Sequence, residues 1–146
     1  LMNYLLDSNI LLYAKMSSIP ENLLVSEWLE EVVSNPNNTI NVCETSILSF
    51  LRIATNDKIF NPGLTSDETE KFLDSFLSEP NVNLVYSSKT HYLELTKLMD
   101  KYDFRGNLVM DANLAVFALS IGATLVTQDK DFAKIPYLKT LNPLKI

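Results

Sequence analysis

The sequence predicts an α/β domain with a central, mainly parallel β-sheet flanked by α-helices. Three observations carry that reading. Short apolar runs of strand length alternate with longer segments of helical period. Turn-forming stretches such as "NPNN", "FNPG" and "DFRGN" fall between these runs, not inside them. The 146 residues suit a single domain over 1–146 with a substantial core, and no repeat, low-complexity tract or linker interrupts them.

Taken in order, "NYLL" (3–6) reads as a short buried strand. Ser8 and Asn9 are good N-caps for a helix running to about Lys15. "PENLLVSEWLEEVVS" starts a second helix at Pro20 and spaces Leu23, Leu24, Trp28, Leu29 and Val32 helically. "TINVC" is a second strand. "ETSILSFLRIATN" returns to helical period, with Ile47, Phe50, Leu51 and Ala54 on one stripe. "SDETEKFLDSFLSE" offers Ser66 and Asp67 as caps, with Glu70 in its first turns. "VNLVY" is a third strand and "KTHYLELTKLMDKY" an amphipathic helix. "MDANLAVFALSIG" is almost wholly apolar, which predicts a buried helix ending at Gly122. "ATLVT" is a fourth strand, "QDKDFAKI" a turn, and "LKTLNPL" a candidate edge strand.

Composition narrows the function classes. The hydrophobic fraction of 47% fits a globular protein, and no apolar run is long enough to span a bilayer. No basic region precedes Asp7, so no signal peptide is expected. Leu1, ahead of Met2, is left out of the reading. The one cysteine, Cys43, excludes an intrachain disulfide and, with the missing signal, points to the cytoplasm. A net charge of −6 argues against a nucleic-acid binder, since phosphate binding is driven by basic patches. It suits a basic protein partner or metal ions.

In parallel sheets, sites form where strands end and helices begin. That rule singles out four acids. Asp7 follows the first strand, Glu44 the second, and Asp129 the fourth, while Asp111 opens the buried helix. Each has a plain alternative. Asp7 alone reads equally as a cap or as a ligand. Asp111 alone is better read as a cap, favoured by the helix dipole. Glu44 suits a first helical turn, and Asp129 and Asp131 suit a polar turn. The joint pattern is harder to explain that way. Converging carboxylates repel unless a cation lies among them. With one histidine and one cysteine in the chain, oxygen ligands and a hard ion, Mg²⁺ or Mn²⁺, fit best. Such a site suits phosphoryl chemistry through activated water.

Three segments resemble one family. "YLLDSNILLYA" resembles the opening motif of PIN-domain proteins, specifically the VapC-like toxins of type II toxin–antitoxin pairs. "FLRIATNDKIF" is similar to a segment of one VapC branch, as is "GNLVMDANLAVFALSIGATLVTQDKDFAKIPYLKTLNPL". The resemblance implies a PIN fold and a Mg²⁺- or Mn²⁺-dependent endoribonuclease that cuts RNA. It matches Asp7, Asp111 and Asp129 to family acids, and Asn9 and Thr127 to residues that orient carboxylates or bound water. Many members carry their second acid where this chain has Ser49. In the most similar branch it lies earlier, at Glu44. The resemblance also implies a small basic antitoxin that closes the site, and homodimers, for which "LLVSEWLEEVV" is a candidate face.

The remaining conspicuous residues have mainly structural readings. Arg52, about two turns from Glu44 on the same helix face, could meet a carboxylate or an RNA phosphate; a surface ion pair serves equally. Asp131 is better read as a turn acid. His91 lies outside every motif, Cys43 suits packing, and Trp28 suits core or interface. Lys130, Lys134, Lys139 and Lys145 form a basic stretch near the C-terminus, solvated by default. Two other functions compete with this one. A haloacid-dehalogenase-like phosphatase needs a second Asp where Asn9 stands. A non-catalytic PIN module that binds RNA or protein fits poorly with a complete set of acids.

Overall fold

A computed structural model describes residues 2–146; Leu1 lies outside the described residues. Five parallel strands form one sheet in the order β3-β2-β1-β4-β5, with β1 at Asn3–Leu6, β2 at Thr39–Cys43, β3 at Val82–Val85, β4 at Thr124–Val126 and β5 at Thr140–Leu141. Six α-helices connect them: α1 (Ser8–Lys15), α2 (Asn22–Ser34), α3 (Glu44–Ala54), α4 (Ser66–Leu77), α5 (Lys89–Tyr102) and α6 (Val109–Ile121). Among the described residues, no helix is long and apolar enough to cross a membrane.

The sheet is covered on both faces, which is why its strands are apolar without strict alternation. Alternate residues serve opposite cores. Tyr4, Leu6, Ile40, Val42 and Val126 pack with α1, α2 and α3 through Ile10, Leu11, Val25, Leu29, Phe50 and Ala54. Leu5 and Leu125 face the other way, onto Leu95 and Leu98 of α5 and onto Ala112 and the apolar run Leu114–Ala118 of α6. Phe50, which the helical stripe of α3 predicts as core, is fully buried. Its truncation to alanine would cost about 3–5 kcal/mol. Trp28 packs edge-on against Tyr4, with ring centroids 5.5 Å apart, so it belongs to this core.

Several helix starts depart from the sequence reading, and α2 begins at Asn22, two residues after Pro20. Helix α1 begins at Ser8, so Ser8 and Asn9 lie in its first turn and Asp7 takes the cap position, yet no side chain caps there. Helix α4 is capped by Thr65, not Ser66 or Asp67. The Thr65 hydroxyl accepts from the Glu68 N–H at 3.1 Å, and Glu68 Oε1 accepts from the Thr65 N–H at 3.1 Å. Which residue caps depends on where the chain is extended, and the Leu64 N–H, bonded to Ala54 O at 2.8 Å, fixes that one residue early. The preceding loop turns on Gly63. A Cβ there would sit 2.8 Å from the Thr55 carbonyl carbon, so only glycine fits. Helix α6 ends as its sequence predicts, with Gly122 left-handed at φ 65°.

Candidate metal centre

The strand order reverses beside β1. Strands β2 and β3 extend to one side, and β4 returns to the other. In open parallel sheets such a reversal leaves a crevice beyond the C-terminal ends of the two strands that flank it. Here those strands are β1 and β4. Leu6 is in register with Val126, so the residues that follow, Asp7 and Thr127, face each other across the crevice.

Asp7 is extended at φ −69° and ψ 154°, and its side chain does not cap α1. Its N–H donates to Val126 O at 3.0 Å. Its Oδ2 accepts from Thr127 Oγ1 at 2.8 Å, and Oδ1 accepts from Ser8 Oγ at 3.3 Å. The residue is 8% exposed. Burial pushes its pKa up, against the hydrogen bonds of Thr127 and Ser8, and the Asp129 charge adds to the rise.

Thr127 has a second task. Its hydroxyl also accepts the Asp129 N–H at 3.0 Å, so one buried oxygen ties Asp7 to the start of the next turn. Asp129 Oδ1 in turn accepts from the Asp131 N–H at 2.9 Å, capping a short 3-10 turn over Lys130–Lys134.

Asp111 is supplied by α6. Leu108 holds the cap position of α6 and Asp111 is in the first helical turn, so it is not the cap. Its carboxylate, with those of Asp129 and Asp131, can present oxygens that all lie within 4.8 Å of one another. Its pKa is raised to about 6, first by burial and then by the charges of Asp129, Asp7 and Asp131. Two of the three carboxylates thus share space with a third, and a buried fourth lies close enough to be felt. The donors are all carboxylate oxygens, and the repulsion among them is relieved by positive charge. That is the donor set of a hard divalent cation, and these residues fit one.

The other predicted residues fall around this group. Glu44 is the first residue of α3, directly after β2 on the same sheet edge, and is exposed. It stands outside the Asp111–Asp129–Asp131 trio. Ser49 lies further along α3, half-buried. Asn9 is half-buried in the first turn of α1, and the neighbour that reaches the Asp7 carboxylate is Ser8. Arg52 is exposed in the last turn of α3. The ion pairs among the described residues, Lys71–Asp67, Lys97–Glu94 and Arg105–Asp103, do not include it. Lys130, Lys134, Lys139 and Lys145 are all exposed.

Two features escape a reading of sequence alone. Asp131, better read there as a turn acid, belongs to the carboxylate group. The signal for it was the two-residue spacing from Asp129, which a 3-10 turn converts into adjacency. Gln128, beside Asp129, donates through Nε2 to the Tyr13 hydroxyl and so links the rim of the crevice to α1. Nothing local in the sequence marks that pair.

Comparison with known proteins places this architecture. A model of the PIN domain matches residues 4–137. Ribonuclease VapC33 of Mycobacterium tuberculosis is 30% identical over 139 residues, covering 95% of this chain and 96% of the relative. Ribonuclease VapC31 of the same species is 30% identical over 140 residues, covering 96% of this chain and 98% of the relative. The fold superimposes on a chain of VapBC2 from Rickettsia felis, determined bound to a DNA fragment from their promoter, with a TM-score of 0.70 and 25% identity. That match covers 97% of this chain and 98% of the other. Because the matched span takes in β1 to β4 together with Asp7, Glu44, Asp111 and Asp129, the chain belongs to the PIN-domain family, among relatives named as VapC ribonucleases.

Proposed function

We propose that this chain is a metal-dependent endoribonuclease, the toxin of a type II toxin–antitoxin pair acting in the cytoplasm. The observation that carries the reading is the grouping of carboxylate oxygens of Asp111, Asp129 and Asp131 within 4.8 Å of one another beside the buried Asp7, with Asp111 raised to about pKa 6 by burial and by the charges of Asp129, Asp7 and Asp131. The relatives named as VapC ribonucleases support the choice of RNA.

In this reading Asp7, Glu44, Asp111 and Asp129 hold Mg²⁺ or Mn²⁺, with Asp131 at the rim. Such an ion supplies Lewis-acid activation of water and neutralises charge on the phosphodiester. Thr127 holds Oδ2 of Asp7 and so orients the carboxylate, while Ser8 Oγ meets Oδ1 at 3.3 Å. Asn9, two residues along in the first turn of α1, is the second candidate to orient a carboxylate or bound water. Asp111 keeps its carboxyl proton below about pH 6 and must release it before it can serve as a ligand. Glu44 would join them from the first residue of α3, directly after the neighbouring strand β2. Arg52 and the exposed lysines near the C-terminus are the cations available to RNA phosphates, on a chain whose net charge is −6.

The same acidity suits a small basic antitoxin, and the likeness to a VapBC complex supports one. A homodimer completes the proposal. Leu23 and Leu24 of α2, 65% and 57% exposed, lie on the face singled out for it.

The test is cleavage of a synthetic RNA with Mg²⁺ or Mn²⁺ by wild type, Asp7→Ala and Asp111→Ala. Cation-dependent cleavage lost in both variants is the expected result. Metal-independent cleavage, or equal activity in the variants, overturns the site. Turnover of phosphomonoesters without RNA cleavage would favour a phosphatase, and bound metal without any activity a non-catalytic module.

A further inference from the structure

A second set of buried polar groups follows two of the proposed ligands closely in sequence, through Thr45 and Asn113. His91 on α5 and Asn113 on α6 are each 7% exposed, and Cys43 at the end of β2 is fully buried. They form an unbroken chain. His91 Nε2 meets Asn113 Oδ1 at 2.6 Å, and Asn113 Nδ2 donates to Thr45 Oγ1 at 3.3 Å. Thr45 Oγ1 and Ser46 Oγ each lie 3.2 Å from Cys43 Sγ. Since the Asn113 amide nitrogen faces Thr45, its oxygen accepts and His91 Nε2 donates. The His91 ring is packed on Phe117, with centroids 4.0 Å apart, so it cannot swing to another partner.

Buried polar groups are costly unless every bond is made, so such a chain tolerates one helix arrangement and penalises others. This one joins α5, α6 and α3. It touches α3 one residue after Glu44 and α6 two residues after Asp111. Apolar packing alone would let these two helix starts slide; the amide of Asn113 spans them and fixes their spacing.

We propose that His91, Asn113 and Thr45 are positioning residues for the metal centre, setting how closely the Glu44 arm approaches the aspartates. The proposal rests on reading Asp7, Glu44, Asp111 and Asp129 as ligands. It is tested on the full chain by Mn²⁺ affinity, read from the electron paramagnetic resonance of free Mn²⁺, with thermal unfolding alongside. Thr45→Val and His91→Leu are expected to weaken Mn²⁺ binding about tenfold or more, the size of effect seen when a ligand's supporting partner is removed. His91→Gln, whose Nε2 reaches the place of the imidazole Nε2, is expected to restore it. Unchanged affinity in Thr45→Val and His91→Leu, with only the unfolding temperature lowered, overturns the proposal. Should His91→Leu fail to fold, Thr45→Val, at a half-buried site, decides alone. Asp111→Asn is run in parallel. If it binds Mn²⁺ as wild type does, the metal-centre reading itself has failed and the proposal falls with it.

Discussion

Thr127 Oγ1 donates to Asp7 Oδ2 at 2.8 Å across 120 residues of sequence. The bond closes the crevice between β1 and β4 and aims a buried carboxylate at it. Removing the donor while keeping the shape isolates its worth. Thr127→Val leaves Asp7 short of a partner in a buried place, which should cost about 1–3 kcal/mol of stability. RNA cleavage should fall about 10- to 100-fold. Urea unfolding and single-turnover cleavage measure the two effects; wild-type values for both would show that the bond is incidental.

Asp111 gives a stability prediction with a definite sign. Its pKa rises from 3.8 to about 6 on folding. Folding therefore favours the protonated form, so this contribution is fully present below about pH 4 and is lost as pH rises through about 6. Asparagine at this position stays neutral throughout. The metal-free Asp111→Asn protein should be more stable than wild type by about 1 kcal/mol at neutral pH, after allowing for solvent screening of a half-buried group. The difference should vanish near pH 4. Calorimetry in the presence of a chelator checks it, and a variant less stable than wild type at neutral pH would contradict it.

The same proton competes with metal. Mn²⁺ affinity should rise with pH up to about 6 and then level off, falling about tenfold for each pH unit below that point. Titration of the metal-free protein across that range measures the curve. A flat curve would mean that Asp111 is not a ligand.

Gly63 tests the scaffold apart from the chemistry. Its neighbours, Thr55 C at 2.8 Å and Thr55 O at 3.0 Å from an added Cβ, are backbone atoms that cannot rotate away. Gly63→Ala should cost about 1–3 kcal/mol through overpacking. Mn²⁺ affinity of the folded variant should match wild type, since the loop joins α3 to α4 away from the crevice. Thermal unfolding and metal titration together decide it.

Much of this fold is legible in local sequence, and the exceptions have physical reasons. Strands such as "TINVC" and the apolar run of α6 announce themselves because both faces of the sheet are covered, so period and polarity agree. The strand-end rule finds Asp7, Glu44, Asp111 and Asp129, because a strand's end is a local property. It does not find the partner of Asp7, which comes from another strand far along the chain. Nor does it find Asp131, whose place depends on the tightness of a 3-10 turn. The cap of α4 moves to Thr65 because a tertiary hydrogen bond from Leu64 sets where the chain is extended. His91 looks idle in sequence because its hydrogen-bond partner lies on a different helix.

In the proposed function the strand-end carboxylates form one metal centre. Electron paramagnetic resonance of Mn²⁺ added to the metal-free protein tests it most directly. The free-ion signal should be lost saturably with wild type and should persist with the Asp7→Asn, Asp111→Asn double variant. An undiminished signal with wild type, or equal uptake by the double variant, would contradict it.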